Sequence, residues 1–351
     1  MAWDAVKLRQ APKHMQPTII PEKFRTGDQI RVLALSRSLG GLKQYPGITE
    51  ADIEFARNRV EALGLRVTFG RHVMEGNAHL TTSVESRLAD LRAALTDPAV
   101  KGILSVAGGS GAIQIVDQLD YDLIAAHPKI FCGYSDNGFL WNAVYARTGL
   151  VSYYGPNFSG FMNRKDGDYT GRSFQTCLFN AQPFDVVPAT EWSDDNWVKD
   201  QENRTFLPNE GWWAVNEGEA EGTIIGGNTY ILNLLKGSAY FPPLQEAILF
   251  LEPVSTGKGT LMDLDTGLRA LTLLSQFKQV RGIVIGRFAR NALIDREKLT
   301  SIIQSITAVA HIPIAANCDF GHTTPMLTVP IGGRCRLRVG GGKAEMVITQ
   351  H

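Results

Sequence analysis

Short apolar runs and longer stretches with an apolar residue at every third or fourth position alternate along the first half of this chain, the signatures of strands and amphipathic helices. Residues 30–36 make the first run, which ends in the glycine-rich turn Ser36-Arg37-Ser38-Leu39-Gly40-Gly41. Thr49-x-x-Asp52 has the spacing of a helix cap ahead of an apolar face at Ile53, Ala56, Val60 and Leu63. Thr82-x-x-Glu85 repeats it ahead of Leu88, Leu91 and Leu95. Further strands are predicted at 65–69, at 102–106, which runs into Ala107-Gly108-Gly109-Ser110-Gly111, and at 129–132, after which a helical pattern starts at Asn137. Such alternation implies a doubly wound parallel sheet, with ligands bound beyond the carboxyl ends of its strands.

From about residue 154 to 211 the regular pattern fails, which predicts a connection between two domains. Beyond it, a helical run at 229–236 and strands at 247–251, 282–286 and 327–331 precede a tail, 334–348, that alternates around Gly340-Gly341-Gly342 and predicts a hairpin. The expected organisation is a leader at 1–26, an α/β N-terminal domain at 27–168, a connecting loop at 169–211, and a smaller, β-rich α+β C-terminal domain at 212–351.

The strand at 129–132 carries the most informative chemistry, because it breaks at Gly133-Tyr134-Ser135-Asp136-Asn137. A sharp strand-to-helix turn lifts its corner side chain above the sheet beside the helix's free N–H groups, as a nucleophile requires. Gly-x-Ser-x-Asn is one residue from the hydrolase elbow Gly-x-Ser-x-Gly, but an ordinary ligand-binding turn reads the same way, and this segment alone leaves both open. A serine nucleophile needs a base. Of the seven histidines, His322 stands out in Asp319-Phe320-Gly321-His322-Thr323-Thr324-Pro325, a loop without apolar periodicity; the alternative is a surface turn histidine. Glu252 closes the apolar run 247–251, where an acid needs a partner unless the strand end is solvated. The N–H groups of Gly109 and Asp136 are candidates for an oxyanion hole. A phosphate-binding loop lacks its Gly-Lys-Ser/Thr here. Trp192, Trp197, Trp212 and Trp213 crowd the connection, placed either to stack on a flat substrate group or to pack the connection onto the second domain.

The balance of 35 basic and 35 acidic side chains gives no global field for nucleic acid or an anionic membrane. A small-molecule or peptide substrate fits better. Cys132, Cys177, Cys318 and Cys335 form no Cys-x-x-Cys pair, which argues for reduced, buried thiols rather than a metal site or disulfides. No signal-peptide core or membrane-length apolar run is present, so a soluble cytoplasmic protein is expected.

Several blocks in order resemble the LD-carboxypeptidase (S66) serine peptidases, in particular their microcin C7 self-immunity branch: Gly108-Gly109-x-Gly111, Leu119-Asp120-Tyr121-Asp122, Gly133-Tyr134-Ser135-Asp136, Tyr154-Gly155-Pro156, Gly226-Gly227-Asn228, Leu249-Phe250-Leu251-Glu252 and Gly321-His322-Thr323-x-Pro325. The resemblance implies Ser135 as nucleophile, His322 as general base and Glu252 as its orienting acid. It also implies a first domain related to class I glutamine amidotransferases, a homodimer, and no metal or cofactor. Members recycling murein remove the terminal D-alanine of muramoyl tetrapeptides, whereas the immunity branch cuts the amide joining an amino acid to a modified nucleotide. The segment 191–197 looks like that branch, which points to Trp192, Trp197 and Asn228 as substrate-binding residues and to a role in antibiotic resistance. Ala107 before the glycine turn, Pro253 after Glu252 and Asn137-Gly138 after the elbow depart from the family's usual residues. A glutamine amidotransferase would need cysteine at the bend, and Cys132 is three positions early. A non-catalytic binding protein of the same fold is the other rival.

Overall fold

A computed structural model describes residues 16–44, 48–165, 168–253, 257 and 259–351. Residues 1–15 of the expected leader, with His14, lie outside the described residues. Two sheets organise the chain. The first runs in the order Val329–Ile331, Ser152–Tyr154, Ile130–Gly133, Val100–Ser105, Gln29–Leu33, Arg66–Phe69. Its strands are parallel except at the Val329–Ile331 edge. The second has eight strands: Phe184–Asp185, Lys343–Gln350, Arg334–Gly340, Gly218–Asn228, Ala247–Glu252, Gly282–Gly286, Ile314–Cys318 and Trp213–Asn216. Its four central strands are parallel and its flanks antiparallel.

Local signals explain most elements. The Thr49 side chain accepts from Asp52 N–H while the Asp52 carboxylate accepts from Thr49 N–H, closing a capping box on helix Glu50–Ala62. The second helix begins one residue later than the spacing predicts: Ser83, accepting from Ser86 N–H, caps Val84–Thr96, while the Thr82 hydroxyl donates to the Ser83 carbonyl. The tail forms the expected hairpin.

Two expectations need correction. The stretch read as irregular contains helix Tyr169–Phe179, with Thr170, Phe174, Cys177 and Leu178 buried on one face at helical spacing. The turn-like sequence Asp166-Gly167-Asp168 just before it masked that signal. The run at 327–331, expected within the second domain, pairs through Val329–Ile331 antiparallel with Ser152–Tyr154 of the first sheet. Strand partners are a non-local choice that apolar pattern cannot specify.

One apolar cluster joins the sheets, containing Phe131 from the first, Phe139 and Trp141 from the helix Gly138–Thr148 that follows it, and Ile224, Ile248 and Phe250 from the second. Helix Gly138–Thr148 is buried nearly all round, and its Asn142 Nδ2 donates to the Gly226 carbonyl across the junction at 2.9 Å. The carboxyl ends of Ile130–Gly133 and Ala247–Glu252 thereby face a common space.

Candidate active site

At Gly133 the first sheet ends and the chain turns through Ser135–Asn137 into helix Gly138–Thr148. Ser135 sits at φ +63°, a left-handed conformation costly for a residue with a Cβ and common where a nucleophile is held on a strained corner. The corner is fastened from below. Asn137, fully buried, accepts from the Ser105 hydroxyl at 2.8 Å and donates to the carbonyls of Ala107 and Tyr134, while Asn157 Oδ1 accepts from Tyr134 N–H and Asn137 Nδ2. Asn137, where the hydrolase elbow has glycine, is thus the peg that holds the bend.

Ser135 Oγ lies 3.0 Å from His322 Nε2, and His322 Nδ1 lies 3.0 Å from Glu252 Oε2. These three side chains, remote in sequence, form one line across the junction of the sheets. Glu252 is 1% exposed, whereas the His322 side chain is 31% accessible. Desolvation opposes protonation of the imidazole, but the charge and hydrogen bond of Glu252 outweigh it and hold His322 above the ordinary histidine value of 6.5. Gly321 allows this approach: its φ is +106°, and a Cβ there would lie 2.1 Å from Glu252 Oε2.

The glycine turn approaches from the other side. A Cβ on Gly108 would meet Ser135 Oγ at 3.0 Å and Asp136 N at 3.5 Å, so the backbone leading into Gly109 passes directly beside the hydroxyl. Among the described residues no hydrogen bond engages the N–H of Gly109 or of Asp136. The buried Asp136 carboxylate is engaged elsewhere, accepting from Ala112 N–H at 2.7 Å and from the Ser36 hydroxyl. Arg87, donating to the Gly111 carbonyl at 2.7 Å, secures the same turn.

Trp197 lines a cavity of about 260 Å³ together with Tyr134, Ser193, Asp194, His322 and Thr323. Ser193 and Thr324 exchange two backbone hydrogen bonds, which dock the tryptophan-bearing segment onto the histidine loop. Trp192 is not brought to that cavity. Its ring lies 5.0 Å from the Arg287 guanidinium and lines a separate space with Trp213. Trp212 is buried and donates to Asp319, which agrees with a packing role. Asn228 stands beside Glu252 in strand register and caps helix Thr229–Leu234 through its side chain.

The sequence reading missed Arg287 and Tyr154. Arg287, fully buried, pairs with Asp319 at 2.6 Å and donates to Asn317. Asp319 also accepts from Ala189 N–H, Asn209 and Trp212, so the stem of the histidine loop is tied to the connection. An acid at the head of 319–325 was the available signal. Tyr154, inside a quoted block, donates to Glu252 Oε1. All four cysteines are buried and free. No described group of three or more His, Cys, Asp or Glu side chains could hold a metal ion, and no described helix is long and apolar enough to cross a membrane.

Residues 30–155 match the model of the LD-carboxypeptidase N-terminal domain, and residues 221–337 match that of the C-terminal domain. The chain is 43% identical to the putative carboxypeptidase YocD of Bacillus subtilis, over 94% of this chain and 99% of the relative. It is 28% identical to the microcin C7 self-immunity protein MccF of Escherichia coli, over 85% of this chain and 87% of that protein. Among solved structures it is similar to an MccF-like protein from Bacillus anthracis, with a TM-score of 0.91 and 45% identity, covering 95% of this chain and 100% of the other. The fold also matches MccF in complex with aspartyl sulfamoyl adenosine at a TM-score of 0.81 and 24% identity, covering 95% and 99%.

Proposed function

The chain belongs to the LD-carboxypeptidase family, S66, and from that premise we propose that it is a serine amidohydrolase acting on the amide of a peptidyl- or aminoacyl-nucleotide. The carrying observation is the unbroken line of hydrogen bonds from the Ser135 hydroxyl through His322 to Glu252. Ser135 attacks the scissile carbonyl as His322 Nε2 takes its proton. Glu252 accepts from Nδ1–H, which leaves Nε2 free as the base and stabilises the imidazolium. The N–H groups of Gly109 and Asp136 receive the developing oxyanion, each worth about 3 kcal/mol in such sites. Collapse of the tetrahedral intermediate expels the amine, protonated by His322, and water then hydrolyses the acyl-serine ester by the same relay.

Two features favour a nucleotide conjugate over a muramoyl tetrapeptide. Trp197 lines the cavity that His322 enters, where an indole face can stack on a base. The MccF structure with aspartyl sulfamoyl adenosine belongs to a protein of the same fold. The deciding experiment incubates the enzyme with that compound and with a muramoyl tetrapeptide, reading products by mass spectrometry. Release of aspartate is expected; release of D-alanine alone would move the reading to murein recycling. Loss of both in Ser135→Ala, with the fold kept, assigns hydrolysis to this site.

A further inference from the structure

Glu252 has two carboxylate oxygens, and His322 occupies only one. The other accepts from the hydroxyl of Tyr154, and that same hydroxyl oxygen accepts from the backbone N–H of Ser135 at 2.9 Å. An amide N–H can only donate, so the phenol's proton must point at the carboxylate. The directions are then fixed around a closed circuit: Ser135 N–H to Tyr154, Tyr154 O–H to Glu252, His322 Nδ1–H to Glu252, and Ser135 Oγ–H to His322 Nε2. Tyr154 is 1% exposed and ends a strand of the first sheet, whereas Glu252 ends a strand of the second.

We propose that Tyr154 is a positioning residue that sets both the strained corner bearing the nucleophile and the basicity of the histidine, coupling the two across the sheet junction. The proposal rests on the relay read above. A carboxylate this deeply buried concentrates its charge on whichever donors it has. With two donors it pulls less hard on the imidazole than with one. Burial first, and the Glu252 charge second, push the phenol's pKa far up, so Tyr154 remains a donor wherever the enzyme works. Titratable groups facing the imidazole are Glu252 and Tyr134, whose ring centroid lies 5.2 Å from that of His322; Tyr134 is itself pushed up to about 12 by burial and by Glu252.

The test compares Tyr154→Phe with protein carrying 3-fluorotyrosine at position 154, a stronger donor of nearly the same shape. Phe should lower kcat by roughly 10- to 100-fold, the range for residues that orient catalytic ligands, with KM little changed and the acid limb of kcat/KM moved to higher pH. The fluorinated residue should move that limb to lower pH. Opposite displacements would not arise from a merely structural role, and the fluorinated protein keeps the test valid where Phe folds poorly. A Phe variant with the parent kcat and an unmoved limb overturns the proposal. Hydrolysis by Ser135→Ala separates the two readings: if that variant retains it the relay itself is wrong, whereas its loss alongside an indifferent Tyr154→Phe discards only the tyrosine.

Discussion

The corner that carries Ser135 and the loop that carries His322 meet at one hydrogen bond, yet they are built in opposite ways. The corner is held from within its own sheet's surroundings, with Ser105, Ala107 and Asn157, at or just beyond the ends of neighbouring strands, all bonded to Asn137. The loop is held at its stem by remote partners. Asp319 is satisfied by Ala189, 130 positions away, and Asn209, both from the connection, by Trp212 just after it, and by Arg287 from beyond the strand Gly282–Gly286. The proposed nucleophile on a strained corner needs rigidity, which bonds within one sheet's surroundings supply. The proposed base, which must reach it from another sheet, needs a support that registers how the sheets are packed, and the connection supplies that.

The comparison breaks most sharply with Ser135→Ala, which should cut hydrolysis by roughly 10⁴-fold or more while leaving thermal unfolding unchanged. Retained turnover in a steady-state assay would place the nucleophile elsewhere. Next in size is Arg287→Met, which strands the Asp319 carboxylate and should destabilise the protein by about 3–5 kcal/mol. Hydrogen exchange would then show protection lost at 319–325 and 189–212 before the first sheet; uniform loss would contradict the difference drawn here. Asn137→Ala should cost about 1–3 kcal/mol in urea unfolding, because it leaves the Ser105 hydroxyl and neighbouring groups unpaired.

Trp197→Ala should raise KM for a nucleotide conjugate by about tenfold, on the scale of one stacked base, with kcat nearly unchanged. Trp192→Ala should leave KM alone, since that ring covers Arg287. Smallest is the pH effect. The raised pKa of His322 means its link with Glu252 adds stability in full below 6.5 and loses it as pH rises through the folded value. Activity runs the other way: the base must be neutral, so the acid limb of kcat/KM should fall above 6.5, and Glu252→Gln should draw it downward while slowing turnover. A wild-type limb below 6.5 would mean that desolvation outweighs Glu252.

Much of this was readable from residue order. Ile53, Ala56 and Val60 are buried on one helix face as their spacing predicts, and the strand-to-helix break at Gly133 is where the chain turns. Helix Tyr169–Phe179 was readable too, through Thr170, Phe174, Cys177 and Leu178, but the turn-like sequence Asp166-Gly167-Asp168 before it hid it. The partner of Val329–Ile331 was not readable, nor were the separate destinations of Trp192 and Trp197, five residues apart.

Residue order alone determined the periodic elements, the caps and the break at which the chain turns, because each depends on groups within a turn or two of one another. Only the packed molecule decided that a phenol ending a strand of one sheet donates to a carboxylate ending a strand of the other beside Ser135. Such a contact depends on how two sheets stack through Phe131, Trp141 and Phe250, and apolar burial constrains that by area and shape rather than by any spacing along the chain.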